Sequence, residues 1–235
     1  MYNIKSQSLD LVFEEYDKII SDYPIKVFWD IMSCANLKLN SNILEIGSGT
    51  GKATKRLLDL KFNNINCIER EYELAYYINK KFKDNINIYI SSFEEWQVPN
   101  EKYDIIICAN SFQYLNKDIS MTKIQNILKK NGTLALIWTA YPSFNYSRDK
   151  IFNVKNDIVN NYKFCDLETK LYNWHKIYTE EEYIKFLNMQ NYYYLLEEKK
   201  KKEIYYKATD DVKENNTVKI NYELVLFLLK NIENE

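Results

Sequence analysis

Three glycines alternate inside one stretch, Ile43-Leu44-Glu45-Ile46-Gly47-Ser48-Gly49-Thr50-Gly51-Lys52-Ala53-Thr54, in a chain of 235 residues that holds only four. Glycine takes positive φ, or lets the main chain touch a small molecule, without the steric cost any other residue meets. Such a concentration marks a ligand-binding turn. Asn42 to Ile46 ahead of it is a short apolar run, and Lys52 to Leu60 behind it repeats apolar residues at helical spacing. The glycines therefore occupy a strand-to-helix turn, where a doubly wound α/β sheet places its ligand, beyond the carboxyl end of a strand.

The same alternation continues downstream. Strands are expected at Asn42 to Ile46, Ile65 to Glu69, Ile86 to Ile90, Tyr103 to Ala109 and Thr133 to Trp138. Helices are expected at Lys52 to Leu60, Glu71 to Phe82 and Ile119 to Lys130, the last closed by Asn131-Gly132 as a left-handed cap. Strands alternating with helices argue a mostly parallel sheet covered on both faces. Ahead of it, Leu9 to Cys34 reads as helix broken at Tyr23-Pro24, since proline disfavours helical geometry in the residue before it. Behind it, Thr179-Glu180-Glu181-Glu182 has the spacing of a capping box, with a helix running to about Met189. Lys199 to Lys202 reads as a solvated helix face. Ile220, Tyr222, Leu224, Leu226 and Leu228 alternate at period two, the pattern of a last strand, with Val225, Phe227 and Leu229 buried on its other face.

Composition narrows the function classes. With 32 basic and 33 acidic residues the net charge is −1, so no field steers the whole molecule to nucleic acid or an anionic membrane. Cys34, Cys67, Cys108 and Cys165 form no Cys-x-x-Cys, and His175 is the sole histidine, so no metal site is expected. No apolar run approaches the roughly 20 residues of a membrane span, and the start lacks the apolar core of a signal peptide. A cytoplasmic protein with reduced thiols is the expectation.

The spacing of the glycines discriminates between cofactors. The dinucleotide fingerprint G-x-G-x-x-G would place its third glycine at Lys52. Here the pattern is Glu-x-Gly-x-Gly-x-Gly, with Glu45 two residues ahead, where a pyrophosphate gains nothing and an ammonium does. About 18 residues after the turn comes Glu69, close to the separation expected for an acidic residue that accepts hydrogen bonds from ribose hydroxyls.

Ile43 to Thr54, Glu69 and Tyr103-Asp104-Ile105-Ile106-Ile107-Cys108-Ala109-Asn110-Ser111-Phe112-Gln113-Tyr114-Leu115 together resemble the class I S-adenosylmethionine-dependent methyltransferases. Within them the likeness is to the group that includes trans-aconitate methyltransferase. It covers Ser41 to Trp138, with fainter likeness at Tyr16-Asp17, Tyr23-Pro24 and Tyr178-Thr179-Glu180-Glu181. The sequence departs from the group at Ser21-Asp22, at Gln113 where its aromatic turn carries histidine, and at Met189-Gln190-Asn191. The resemblance implies a Rossmann-like methyltransferase fold. That is a doubly wound, mostly parallel seven-stranded α/β sheet with an antiparallel last strand and a helical N-terminal lid. A single domain is expected over 1–235, with the lid in about 1–40, the cofactor-binding core in 41–140 and substrate-side helices and final strands in 141–235.

The resemblance also assigns roles. Gly47, Ser48, Gly49, Thr50 and Gly51 would hold the methionine part of S-adenosylmethionine, with Glu45 near its ammonium. Glu69 would take the ribose, Arg70 would lie over the adenine edge, and Ser92 and Phe93 would flank the adenine, Ser92 without the family's usual carboxylate. Asn110 and Ser111 would line the floor below the methyl group. Phe112 and Tyr114 are balanced between core packing and facing the sulfonium, whose cation a π-face attracts. Tyr16, Tyr23, Trp138 and Tyr141 stand at pocket-wall positions, although among 21 tyrosines any one is more readily structural. No catalytic residue is nominated; His175, the sole histidine, is a candidate base, weakened by following Trp174 in an expected strand distant in sequence from the cofactor segments. The expected function is methyl transfer to a small molecule, carboxylates included, by a monomer or homodimer. The alternatives are a cofactor-binding regulatory protein without turnover and an RNA or protein methyltransferase. A nicotinamide dehydrogenase is disfavoured by the glycine spacing.

Overall fold

The computed structural model describes residues 6–140, 147–189, 197–209 and 217–232. In chain order it contains α1 (Ser6–Ile19), α2 (Ile25–Cys34), β1 (Ile43–Ile46), α3 (Lys52–Asp59), β2 (Ile65–Glu69), α4 (Tyr72–Phe82), β3 (Asn87–Ile90), β4 (Tyr103–Ala109), α5 (Lys117–Ile127), β5 (Leu128–Ala140), α6 (Arg148–Asn161), β6 (Phe164–Thr179), α7 (Glu180–Asn188), α8 (Glu198–Thr209) and β7 (Thr217–Asn231). The strands form one seven-stranded sheet in the order β3-β2-β1-β4-β5-β7-β6, with β7 antiparallel, the Rossmann-like methyltransferase arrangement.

Parallel pairing follows from burial on both faces. Every residue of β1 and β2 is buried, Glu45, Asn66 and Glu69 among them, and the other positions are apolar, as strands covered on both faces require. Ile43 lies opposite Ile65 on one side and opposite Ile105 on the other. The chain moves from β1 outward to β2 and β3, then crosses back to β4 and β5. The topological switch point thus falls between β1 and β4, where open α/β sheets bind ligands. An amide ladder ties the amino ends of three strands: Asn66 Nδ2 donates to Asn42 Oδ1 at 3.0 Å, and Asn87 Nδ2 to Asn66 Oδ1 at 3.2 Å.

Two compact units emerge from the packing. The larger comprises Tyr23–Thr139, Tyr146–Tyr172 and Leu224–Glu235, and holds the core of Leu44, Ile106, Met121, Leu136, Phe164 and their neighbours. Phe227 on β7 is fully buried there, edge-on to Trp138 at 5.8 Å and to Phe152 at 5.2 Å between ring centroids. Val225 and Leu229 are buried beside it, as period two requires. The smaller unit comprises Met1–Asp22, Ala140–Asn145 and Asn173–Glu223. Its described core gathers Ile19, Tyr178, Tyr183, Phe186, Val218, Ile220 and Tyr222. Trp174 stacks on Tyr222 at 5.1 Å, and the Tyr178 and Tyr222 hydroxyls share a hydrogen bond. The capping box forms at Thr179 and Glu182.

One expected boundary is corrected. The helix expected to run to Lys130 ends at Ile127, and Asn131-Gly132 lies inside β5 instead of capping it. Tyr103 pairs with Leu128 but Ile105 pairs with Thr133, so a two-residue step on β4 faces a five-residue step on β5. The surplus residues bulge, and Asn131 turns them at φ +63°. Gly132 is required because a Cβ there would lie 2.9 Å from the Lys129 carbonyl oxygen and 3.1 Å from that of Tyr103.

Phe227→Ala removes the ring that both Trp138 and Phe152 pack against. Urea unfolding should show a loss of about 3–5 kcal/mol, the usual cost of truncating a buried Phe; a loss under about 1 kcal/mol would contradict this packing.

Candidate active site

The turn after β1 is built by positive φ at each glycine: +72° at Gly47, +55° at Gly49 and +80° at Gly51. What surrounds each glycine differs. A Cβ on Gly47 would come within 2.7 Å of the Ser111 Cβ, and one on Gly51 within 2.4 Å of the Phe82 ring, so these two let elements pack. A Cβ on Gly49 would meet nothing within 4 Å. Gly49 therefore faces open space, and its lack of a side chain serves something other than packing.

Both strands beside β1 hold this turn. From β2, the Ile68 carbonyl accepts Gly47 N–H at 2.8 Å and Ser48 N–H at 3.3 Å. Glu69, 6% exposed at the end of β2, accepts Gly49 N–H on Oε2 at 2.8 Å and Glu71 N–H on Oε1 at 3.0 Å. From β4, Ser111 Oγ donates to the Ile46 carbonyl at 2.5 Å. The segments after β1, β2 and β4 thus meet at the switch point.

Glu45 lies beneath them, 1% exposed. Thr54, on the first turn of α3, donates to its Oε2 at 2.6 Å. Burial, with the Glu69 charge acting in the same direction, pushes the Glu45 carboxyl up to about 8 despite the opposing Thr54 hydrogen bond. Burial likewise raises the Cys67 thiol, which lies 3.8 Å from Thr54 Oγ1.

At the end of β4, Asn110 adopts φ +55°, and its side chain is spent on neighbours. Nδ2 donates to Tyr23 Oη at 3.0 Å and to Thr139 Oγ1 at 3.3 Å, while Oδ1 accepts Thr139 N–H at 2.8 Å. Gln113 donates to the Asn110 carbonyl at 2.8 Å and accepts from Trp138 Nε1 at 3.2 Å. Asn110 and Ser111 therefore join the ends of β1 and β4, β5 and Tyr23, just ahead of α2, into one hydrogen-bonded floor.

The remaining expected residues divide. Thr50 is buried in the turn, its carbonyl accepting from Lys81 at 3.0 Å. Arg70 is exposed and bonds Glu71 at 3.0 Å. Ser92 accepts Glu95 N–H at 3.3 Å, and Phe93 is buried in the core beside Trp96. Phe112 and Trp138 are core residues in edge contact, 6.2 Å apart. Tyr114 is 71% exposed. Tyr23 joins the floor through Asn110; Tyr16 belongs to the smaller unit, and Tyr141 lies outside the described residues. His175 is exposed on β6.

Residues with no sequence signal complete the site. Lys123 on α5 donates to the carbonyls of Phe93 at 2.7 Å and Glu94 at 3.1 Å, and to that of Trp96, fixing the loop after β3. Thr54 and Thr139 orient Glu45 and Asn110. Nothing local in the sequence marks them, because each acts on a residue at least nine positions away.

This arrangement suits an amino-acid nucleoside. Ser48 Oγ is buried and has no protein partner, beside the open face of Gly49. Glu69 offers a buried carboxylate at the end of β2. Among the described residues no cluster suits a metal ion, and no helix is long and apolar enough to cross a membrane.

Residues 43–132 match the family model of a methyltransferase domain, a segment that contains the glycine turn, Glu69 and the floor at Asn110 and Ser111. An uncharacterized methyltransferase of Schizosaccharomyces pombe is 28% identical over 124 residues, 53% of this chain and 49% of that protein. A malonyl-[acyl-carrier protein] O-methyltransferase of Ilyobacter polytropus is 28% identical over 132 residues, 54% of this chain and 50% of that one. The chain spans about half the length of these curated relatives. A solved structure of a candidate type II methyltransferase from Anaeromyxobacter dehalogenans shares the fold, with a TM-score of 0.68 at 11% identity, covering 92% of this chain and 99% of that one.

Glu45 gives a pH test. Its folded value near 8 lies above the ordinary 4.5, so the unfolded chain releases this proton first and the group costs stability as pH rises between those values. The melting temperature of the native chain should therefore fall relative to that of Glu45→Gln from pH 5 to 8. A constant difference would contradict a carboxyl buried in this way.

Proposed function

We propose that the chain catalyses S-adenosylmethionine-dependent methyl transfer to a small-molecule acceptor, with carboxylates the first class to test. The observation that carries this reading is the open face of Gly49 joined to the buried Glu69 carboxylate, inside the segment that matches a methyltransferase domain. The turn 47–51 would hold the methionine portion through main-chain groups and Ser48 Oγ. Glu69 would take the ribose hydroxyls, and Arg70 and Ser92 would border the adenine.

The sulfonium supplies a methyl group already activated for in-line displacement. What remains for the protein is to hold the acceptor at attack distance and exclude water, a contribution of about 7–11 kcal/mol in favourable intramolecular models. The floor suits that task. Asn110 and Ser111 have committed their side chains to Tyr23, Thr139 and Ile46, so they shape the space without competing as nucleophiles. An acceptor carboxylate is ionised at neutral pH and needs no general base. That makes carboxylates the first acceptors to test. The relative named for O-methylation of a malonyl group and the resemblance to the trans-aconitate methyltransferase group support the same class. A second reading, a cofactor-binding protein without turnover, draws on the same committed side chains.

The test is transfer of radiolabelled methyl from S-adenosylmethionine to a panel of di- and tricarboxylic acids, malonyl thioesters, amines and phenols, with bulk RNA and protein as further arms. Incorporation into a small acid is the expected result, and Gly49→Val should abolish it. Valine there costs about 1–2 kcal/mol of backbone strain yet meets no protein atom at its Cβ, so the variant should stay folded. Labelling confined to RNA or protein, or turnover unchanged in Gly49→Val, would contradict the proposal; cofactor binding with no transfer to any arm would establish the second reading.

A further inference from the structure

We infer that Glu69 is a positioning residue for the glycine turn as well as a ribose ligand, so that one carboxylate couples the two halves of the cofactor site. The inference rests on the cofactor reading above and deepens it.

The geometry is specific. An ionised carboxylate has two oxygens and about four lone-pair sites. Glu69 uses one on each oxygen within the protein: Oε2 accepts Gly49 N–H at 2.8 Å and Oε1 accepts Glu71 N–H at 3.0 Å. One site per oxygen remains, which matches the two adjacent hydroxyls of a cis-diol. Glu69 can therefore accept the ribose without releasing the turn. Gly49, at φ +55°, is also the glycine whose open face the methionine portion would occupy. Gly47 and Ser48 are held by the Ile68 carbonyl and Gly51 N–H by the Ser48 carbonyl, and among the described residues the Glu69 bond holds the middle of the turn. Glu71 is the residue ahead of the first turn of α4, so the same carboxylate fixes the start of that helix.

Charge matters as well as reach. A charged acceptor roughly doubles the strength of an N–H hydrogen bond. The amide of Gln offers a single acceptor oxygen, and its NH2 would face one of the two backbone N–H donors. In Glu69→Gln the turn should loosen at Gly49 even with no ligand present.

Glycine-selective 15N labelling reads this directly, because the chain has four glycines and gives four backbone signals. In the ligand-free wild type, Gly49 N–H should exchange slowly with solvent, and in Glu69→Gln it should exchange at least tenfold faster while Gly132, remote in the β5 bulge, is unchanged. Titration calorimetry then separates positioning from ribose contact by comparing S-adenosylhomocysteine with its 2′,3′-dideoxy analogue. If Glu69 only bound ribose, wild type and Glu69→Gln would bind the dideoxy compound equally. The inference predicts at least tenfold weaker binding by the variant. Equal affinity for the dideoxy compound, or a Gly49 amide that exchanges in the wild type as fast as an unstructured one, would overturn it. If Glu69→Gln does not fold, the wild-type exchange rate decides alone. Failure of the wild type to bind S-adenosylhomocysteine at all would overturn the cofactor reading, and this inference with it.

Discussion

The site depends on the end of β2 holding the turn that follows β1. A turn with positive φ at three positions is open and entropically costly, and glycine adds to that cost because it has the most freedom to lose. What fixes it is a set of hydrogen bonds from the neighbouring parallel strand: the Ile68 carbonyl takes two N–H groups, and the Glu69 carboxylate takes a third. Parallel pairing of β1 and β2 in register, with Ile46 opposite Ile68, delivers both acceptors to the turn. Ser111 closes it from β4.

Around that turn the protein has used its polar side chains on itself. Asn110 serves Tyr23 and Thr139, Gln113 serves Asn110 and Trp138, and Thr54 serves Glu45. The result is a hydrogen-bonded surface that presents main-chain groups, the unpartnered Ser48 hydroxyl and the Glu69 carboxylate. Such a surface is suited to binding and orientation, which is the larger part of what methyl transfer from a sulfonium asks of a protein.

Much of this was legible in the sequence, for identifiable reasons. β2 and β4 fall at the residues expected, because short, mostly apolar runs flanked by polar segments leave little choice of boundary. The glycine turn was legible because glycine is so scarce in the chain. The end of α5 was not: Asn131-Gly132 has the chemistry of a helix cap, and only the register of β5 against β4 turns it into a bulge. Phe112 was ambiguous because an aromatic beside a ligand and one in a core look alike in sequence; it packs in the core against Trp138, far along the chain, and Phe93, expected beside the adenine, packs against Trp96. The Asn110 network was hidden because Tyr23 and Thr139 lie 87 and 29 residues away.

The measurement that tests the central claim most directly is isothermal titration of the purified chain with S-adenosylmethionine and S-adenosylhomocysteine, with NAD as the control. The account predicts saturable binding of both sulfur compounds at one site per chain and none of NAD. Binding of NAD alone, or of none of the three, would contradict it.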